Sequence, residues 1–122
     1  MKIALISMEI IPGRPDLNAA TMAERIREAK DAHAELALFP ALSLSGLFLG
    51  SVWKQPSFVR DCMAYAEEIA AAADGITVIF GNVAAGGEGC CGLSRTLLHA
   101  RDGVLREVAH SPLHGTGNTF AP

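Results

Sequence analysis

Short apolar runs along the chain alternate with longer segments in which apolar residues recur every three or four positions. Residues 2–8, 36–39 and 76–80 are runs typical of buried strands. Residues 18–32 and 57–73 instead have the spacing of amphipathic helices. The pattern therefore predicts strand, helix, strand, helix, strand, which is the alternation that a parallel sheet requires.

Two more strands are predicted at residues 94–100 and 104–109, joined by the turn at Asp102 and Gly103. An Asp-Gly pair between apolar runs is a strong hairpin signal. The chain should therefore end its sheet with an antiparallel pair. Because crossovers between parallel strands are right-handed, both helices are expected on one face of the sheet.

Each predicted helix carries an apolar stripe that should face the core. The first begins near Asn18, with Asp16 or Asn18 expected as its cap. Its inner residues are Ala19, Met22, Ala23, Ile26 and Ala29. In the second helix they are Phe58, Cys62, Tyr65, Ile69 and either Ala72 or Ala73.

Composition narrows the class of protein. A chain of 122 residues with 50% hydrophobic and 19% charged residues is expected to form one packed α/β domain, residues 1–122. Its net charge of -3 gives no basic footprint, so nucleic acid is not expected as a partner. No apolar run approaches the roughly 18 residues that cross a bilayer. With no signal-peptide pattern and three cysteines that make a poor disulfide framework, a cytoplasmic location without a membrane partner is expected.

The end of the second strand is the most informative position. Phe39 closes an apolar run, and Pro40 cannot donate a hydrogen bond to a neighbouring strand, so pairing is expected to stop there. The next residue, Ala41, stands at the carboxyl end of a strand, where α/β sheets place their chemistry.

This segment resembles the nitrilase (carbon-nitrogen hydrolase) superfamily, in which a strand-end Phe-Pro is followed by a catalytic glutamate. The resemblance extends from Met1 to about Leu113, and the run 51–59 looks most like the glutaminase domain of glutamine-dependent NAD synthetases. It implies an α/β fold, the first half of a four-layer α-β-β-α sandwich, with the element order β-α-β-α-β-β-β. On this interpretation residues 1–122 are a single truncated nitrilase-like domain.

The resemblance also implies a set of catalytic groups: a cysteine nucleophile, a glutamate for proton transfer and a lysine that stabilises the oxyanion. Carried over by position, the glutamate is Ala41, and the lysine falls on or next to His110. The cysteine would lie downstream of residue 122. A histidine with an ordinary pKa near 6.5 is mostly neutral at pH 7. The chain as given is therefore expected to be inactive, and whether it is an enzyme stays open.

Other residues could carry chemistry, but a plainer interpretation is favoured for each. Cys90 and Cys91 lie in a glycine-rich loop and are expected to be small turn residues rather than a substitute nucleophile. His110 and His114 are separated by Pro112, which disfavours the helix that would bring both to a metal. The remaining candidates, expected to serve as solvated, capping or packing residues, are Glu9, His33, Trp53 and His99.

Two functional interpretations remain. In the first, the chain is a fragment or degenerate member of an amide-hydrolysing enzyme that feeds ammonia to NAD synthesis, with a small amide as ligand. In the second, it is a non-catalytic assembly module of nitrilase-like fold. A homo-oligomer is expected because an uncovered sheet face would expose apolar surface. Neither a cofactor nor a metal is expected.

Overall fold

The fold was analysed in a computed structural model that describes residues 1–46, 56–85 and 93–112. The elements follow the predicted order, with five strands and two helices in the described parts of the chain. They are β1 (Ile3–Leu5), α1 (Pro15–Asp31), β2 (Leu36–Leu38), α2 (Pro56–Ala72), β3 (Thr77–Ala85), β4 (Leu93–Arg101) and β5 (Val104–Pro112). Neither helix is long and apolar enough to span a bilayer.

The strands form one mixed sheet in the order β1-β2-β3-β4-β5. β1, β2 and β3 are parallel, whereas β3 with β4 and β4 with β5 are antiparallel. The helices contact each other, and both contribute side chains to one core against the same face of the sheet. The α/β architecture and the placement of both helices on one face are therefore confirmed.

The core lies between the helices and this helix-covered face. Most of the predicted inner stripes are buried, but Ala23 of α1 is exposed, so that prediction was wrong. The α2 alanines Ala66 and Ala70 are buried as well, which lets the helix approach the strands closely. The largest fully buried apolar side chains are Met22, Ile26, Leu44, Ile69, Ile76, Val78, Phe80 and Val83.

The start of α1 differs from the prediction. The helix begins at Pro15, which fits the first turn because its missing N–H would have no partner there. Arg14 is the N-cap residue, and no side chain caps the helix. Asp16 instead pairs with Arg14, with 2.8 Å between Arg14 Nη2 and Asp16 Oδ2. The expectation that Asp16 or Asn18 caps the helix was therefore wrong.

Strand β3 is longer than the predicted run of residues 76–80. It continues through Gly81 and Asn82 and ends at Ala85. Backbone pairing with β4 extends over this whole length. At the far end of β4, Asp102 and Gly103 have φ of 50° and 82°, as a tight type I′ hairpin turn requires. The hairpin predicted at these two residues is confirmed.

Candidate functional site

The site predicted from the sequence lies where β2 ends. The N–H of Phe39 still donates to the carbonyl of Ile79 on β3, with 2.9 Å between nitrogen and oxygen. Pro40 then interrupts the pairing, and a turn over residues 41–45 begins at Ala41. Ala41 is exposed and lines a cleft. Its assignment to the glutamate position of the family stays a prediction.

The backbone of this turn is held tightly against β3. Leu42 has a φ of 54°, a left-handed conformation that is unfavourable for a leucine. The N–H of Leu44 donates to the carbonyl of Gly81 at 3.2 Å, and that of Gly46 donates to the carbonyl of Leu42 at 2.7 Å. A Cβ at position 81 would lie 2.2 Å from the backbone nitrogen of Leu42. Glycine at this position therefore lets the turn approach the sheet.

A second anchor comes from Asn18, which is 1% exposed. Its Nδ2 donates to the carbonyls of Leu44 and Ile11, both at 2.9 Å, and its Oδ1 accepts the N–H of Ile11 at 2.8 Å. Asn18 thus ties the loop after β1 to the turn after β2. The signal for this role is a polar residue immediately before Ala19 at the start of the apolar stripe, a position where helix caps also occur.

The cleft next to Ala41 has a volume of about 210 Å³. Most of its described lining residues are apolar. Its lining residues are Ala41, Leu42, Gly81, Arg95, Thr96, Leu97 and Ala109. Of these, Arg95 alone carries an ionisable side chain, and it is half-buried. No local pattern in the sequence indicates that Arg95 lies beside Ala41, because the pairing of β4 with β3 places it there.

Position 110 lies on the strand that borders the cleft. His110 is paired through the backbone of β5 with Thr96 of β4, and its neighbour Ala109 lines the cleft. The register between the two strands shifts at Leu97 and Leu98. A bulge of this kind redirects the side chains that follow it. The fold therefore brings Ala41 and Ala109, the chain neighbour of position 110, to the same cleft. The assignment of position 110 to the lysine of the family stays a prediction.

The thiol that the structure describes is unsuited to nucleophilic attack. Cys62 of α2 is fully buried, and this burial, with a smaller contribution from the charge of Asp61, raises the pKa of its thiol to about 12. It does not line the cleft. Cys90 and Cys91, considered as substitutes, lie outside the described residues.

The other sequence candidates that the structure describes, Glu9, His33 and His99, are not among the residues that line the cleft. Within residues 1–46, 56–85 and 93–112, no three histidine, cysteine or acidic side chains are grouped to hold a metal ion. Glu9 is an exposed loop residue, and His99 is a half-buried residue of β4. His33 follows α1 with a φ of 64°, as a residue that ends a helix does. Trp53 and His114 lie outside the described residues.

Comparison with known proteins supports the fold described above, although no protein-family model matches the chain. The chain is 33% identical over 82 residues to a glutamine-dependent NAD(+) synthetase from Xylella fastidiosa strain Temecula1, covering 66% of this chain. The crystal structure of a glutamine-dependent NAD(+) synthetase from Cytophaga hutchinsonii matches 98% of this chain with a TM-score of 0.78 and 20% identity. These matches span only 15% and 21% of the two synthetases, respectively.

An amidase of the nitrilase superfamily from Nesterenkonia sp. AN1 has the same fold over this region. One variant, in which leucine replaces a glutamate, matches 100% of this chain and 48% of its own length, with a TM-score of 0.76 and 23% identity. That structure shows covalent addition of the acetamide moiety of fluoroacetamide at the active-site cysteine. The resemblance to the nitrilase superfamily and the partial nitrilase-like fold predicted from the sequence are confirmed.

Proposed function

We propose that this chain is a partial or degenerate carbon-nitrogen hydrolase domain that does not hydrolyse amides by itself. The parent activity implied by the resemblance is hydrolysis of glutamine or another small amide, with the ammonia used in NAD synthesis. The 33% identity to an NAD(+) synthetase supports this choice of parent. A cytoplasmic location is part of the proposal and is consistent with Cys62 being a free thiol.

The single observation that carries the proposal is the alanine at position 41. It lies at the carboxyl end of β2 and lines the cleft, where a proton-transfer group would act. A methyl group can neither accept nor return a proton. None of the described residues that line the cleft has a carboxylate, a thiol or an imidazole.

Hydrolysis of an amide by a thiol needs three groups acting together, and removing one of them commonly costs several orders of magnitude in rate. Cys62 cannot supply the thiolate, because its side chain is buried and this burial raises the pKa of the thiol to about 12. At position 110 a histidine replaces the expected lysine and is a weaker source of positive charge at neutral pH. The alanine at position 41, the buried thiol of Cys62 and the histidine at position 110 all support the proposal that this site does not turn over amide substrates.

The amidase variant shows which assay is informative. In that protein, covalent addition at the cysteine is observed although leucine replaces a glutamate. Labelling of a thiol by a reactive amide is therefore a weaker test than turnover. The experiment that tests our proposal is release of ammonia from glutamine and acetamide by the 122-residue chain, and we expect none.

A second candidate function, a non-catalytic assembly module, is favoured by apolar side chains that are exposed on the face of the sheet away from α1 and α2. Leu5, Leu38 and Ile79 form a row across β1, β2 and β3 on this face. Leu5 is 76% exposed and Leu38 is 38% exposed, and Ile3 beside them is 50% exposed. We call these four residues the open-face patch. Contiguous apolar surface of this kind favours association, so a second copy of the chain is the proposed partner.

A further inference from the structure

We propose that the bond between Asp102 and Gly103 is a site of isoaspartate formation, and that the end of α2 protects this site in the folded chain. The inference is independent of amide hydrolysis, because the two residues of this hairpin turn are not among those that line the cleft. It rests on three hydrogen bonds between the turn and the end of α2, and on the chemistry of an Asp-Gly sequence.

An aspartate that precedes a glycine isomerises through a cyclic imide. The backbone nitrogen of Gly103 attacks Cγ of Asp102, and the protonated carboxyl group loses its hydroxyl as water together with the proton of that nitrogen. Water then opens the ring. Attack of water at Cγ returns aspartate, whereas attack at the main-chain carbonyl carbon of residue 102 gives isoaspartate of the same mass. Glycine favours ring closure because it has no Cβ beside the attacking nitrogen.

Both reacting groups are engaged in hydrogen bonds in the folded chain. The N–H of Gly103 donates to the carbonyl of Ala70 at 3.0 Å, and Oδ1 of Asp102 accepts the N–H of Gly75 at 2.8 Å. A third bond joins the N–H of Asp102 to the carbonyl of Ala73 at 2.7 Å. We call these three bonds the α2 clasp. The ring can close only after the bonds of the attacking nitrogen and of the carboxyl group have broken.

The clasp lies at the surface and also serves the helix. The side chain of Asp102 is 55% exposed, and Gly103 is exposed, so water can reach the ring once it has formed. The last carbonyls of a helix have no N–H partner within the helix, and the turn supplies donors to them. An isoaspartate adds one methylene group to the main chain between the two N–H donors of the turn. We therefore expect the modification to release the turn from Ala70 and Ala73.

The test is ageing of the full chain at physiological temperature and neutral pH, once in buffer and once in guanidinium chloride. Electron-transfer fragmentation of the peptide that contains residues 102 and 103 distinguishes isoaspartate from aspartate despite their equal mass. We expect isoaspartate at position 102 to form at least tenfold faster in the unfolded sample than in the folded one. Equal rates in the two samples, or no isoaspartate in the unfolded sample, would overturn the proposal.

Two variants separate opening of the clasp from unfolding of the whole chain. Gly75→Ala places a side chain at a φ of 75°, where a Cβ meets nothing within 4 Å, so it strains the clasp without a collision. It should raise the rate in the folded chain at least threefold. The control, Asn18→Ala, removes buried hydrogen bonds that involve no residue of the clasp and should change the rate by less than twofold. An effect of Asn18→Ala equal to or larger than that of Gly75→Ala would contradict protection by the clasp.

Hydrogen exchange of the unmodified chain tests the clasp without any variant. Amides that are hydrogen-bonded in a folded segment exchange only when that segment opens. The amides of Asp102, Gly103 and Gly75 should therefore exchange at least tenfold more slowly than in the unfolded chain. Exchange of these three amides at the unfolded rate would show that the turn is not held by α2 and would overturn the proposed protection.

Discussion

Gly81 and Leu42 are in such close contact that any side chain at position 81 would collide with the backbone nitrogen of Leu42 at 2.2 Å. Leu42 itself is held at a φ of 54°. The glycine on β3 therefore permits the turn whose first residue, Ala41, lines the cleft. The geometry of the candidate site depends on the strand next to it as much as on the turn.

Replacing Gly81 with alanine should destabilise the fold by about 1–3 kcal/mol, since backbone and not a flexible side chain would have to move. The matched control is Gly103→Ala, where a Cβ meets nothing within 4 Å and only the φ of 82° opposes it. That strain costs about 1 kcal/mol. Urea unfolding measures both. A loss for Gly81→Ala no larger than that for Gly103→Ala would show that the turn does not press on β3.

Asn18→Ala should lower the free energy of unfolding by about 2–4 kcal/mol, because it leaves buried groups of Ile11 and Leu44 without their hydrogen bonds. Ser43→Ala is the control. Ser43 is fully buried, and its Oγ has no hydrogen-bond partner among the described atoms. Its replacement should lower stability far less than Asn18→Ala does, because it removes a buried hydroxyl and leaves no hydrogen-bond partner behind. Similar effects of the two changes in urea unfolding would refute the anchoring role of Asn18.

Burial of Cys62 predicts a dependence of stability on alkaline pH. The pKa of the folded thiol is raised from its ordinary value of 9.0 to about 12, chiefly by desolvation and secondly by Asp61. The unfolded thiol ionises at lower pH than the folded one, so this contribution to stability is present below pH 9.0 and is lost as pH rises toward 12.

The stability of the chain relative to Cys62→Ala should therefore decrease as the pH is raised above about 9.0 in urea unfolding. Iodoacetamide should not label Cys62 in the native chain at about pH 8 and should label it after denaturation, as peptide mapping by mass spectrometry would show. A pH-independent difference between chain and variant, or native labelling of Cys62, would argue against the buried neutral thiol.

The open-face patch predicts self-association. The chain should sediment as a dimer or larger species at high micromolar concentration, and Leu5→Lys should shift it toward the monomer because a charge would enter the proposed contact. Leu17→Lys is the control, since Leu17 is also exposed but lies on α1, away from the patch. A monomeric unmodified chain, or equal effects of both substitutions, would contradict this assembly.

Much of the fold could be predicted, because local patterns of apolar residues indicate the elements and right-handed crossovers place both helices on one face of the sheet. Apolar runs and helical stripes gave the element order, and the Asp102-Gly103 pair gave the hairpin. The extension of β3 could not be predicted, because Gly81 and Asn82 are typical of turns. Pairing with β4 overrides that local tendency, and such pairing depends on residues distant in sequence.

Only part of the candidate site could be predicted, because the rest depends on pairing between residues that are distant in sequence. Ala41 could be located from the strand that precedes it. Arg95 could not, because its position beside the cleft depends on the register that pairs it with Val83. Asn18 was misassigned because a capping residue and a buried anchor have the same amino-acid preference at the start of a helix.

The central claim, that this chain does not run amide hydrolysis, is tested most directly by ammonia release from glutamine. The assay compares the purified chain with Ala41→Glu, Cys90→Ala and Cys91→Ala. We predict no release above the uncatalysed background from any of them, since a carboxylate placed at position 41 finds no thiol to activate among the described residues that line the cleft. Ammonia release by the unmodified chain that is lost in Cys90→Ala or Cys91→Ala would contradict the account and identify that cysteine as the nucleophile.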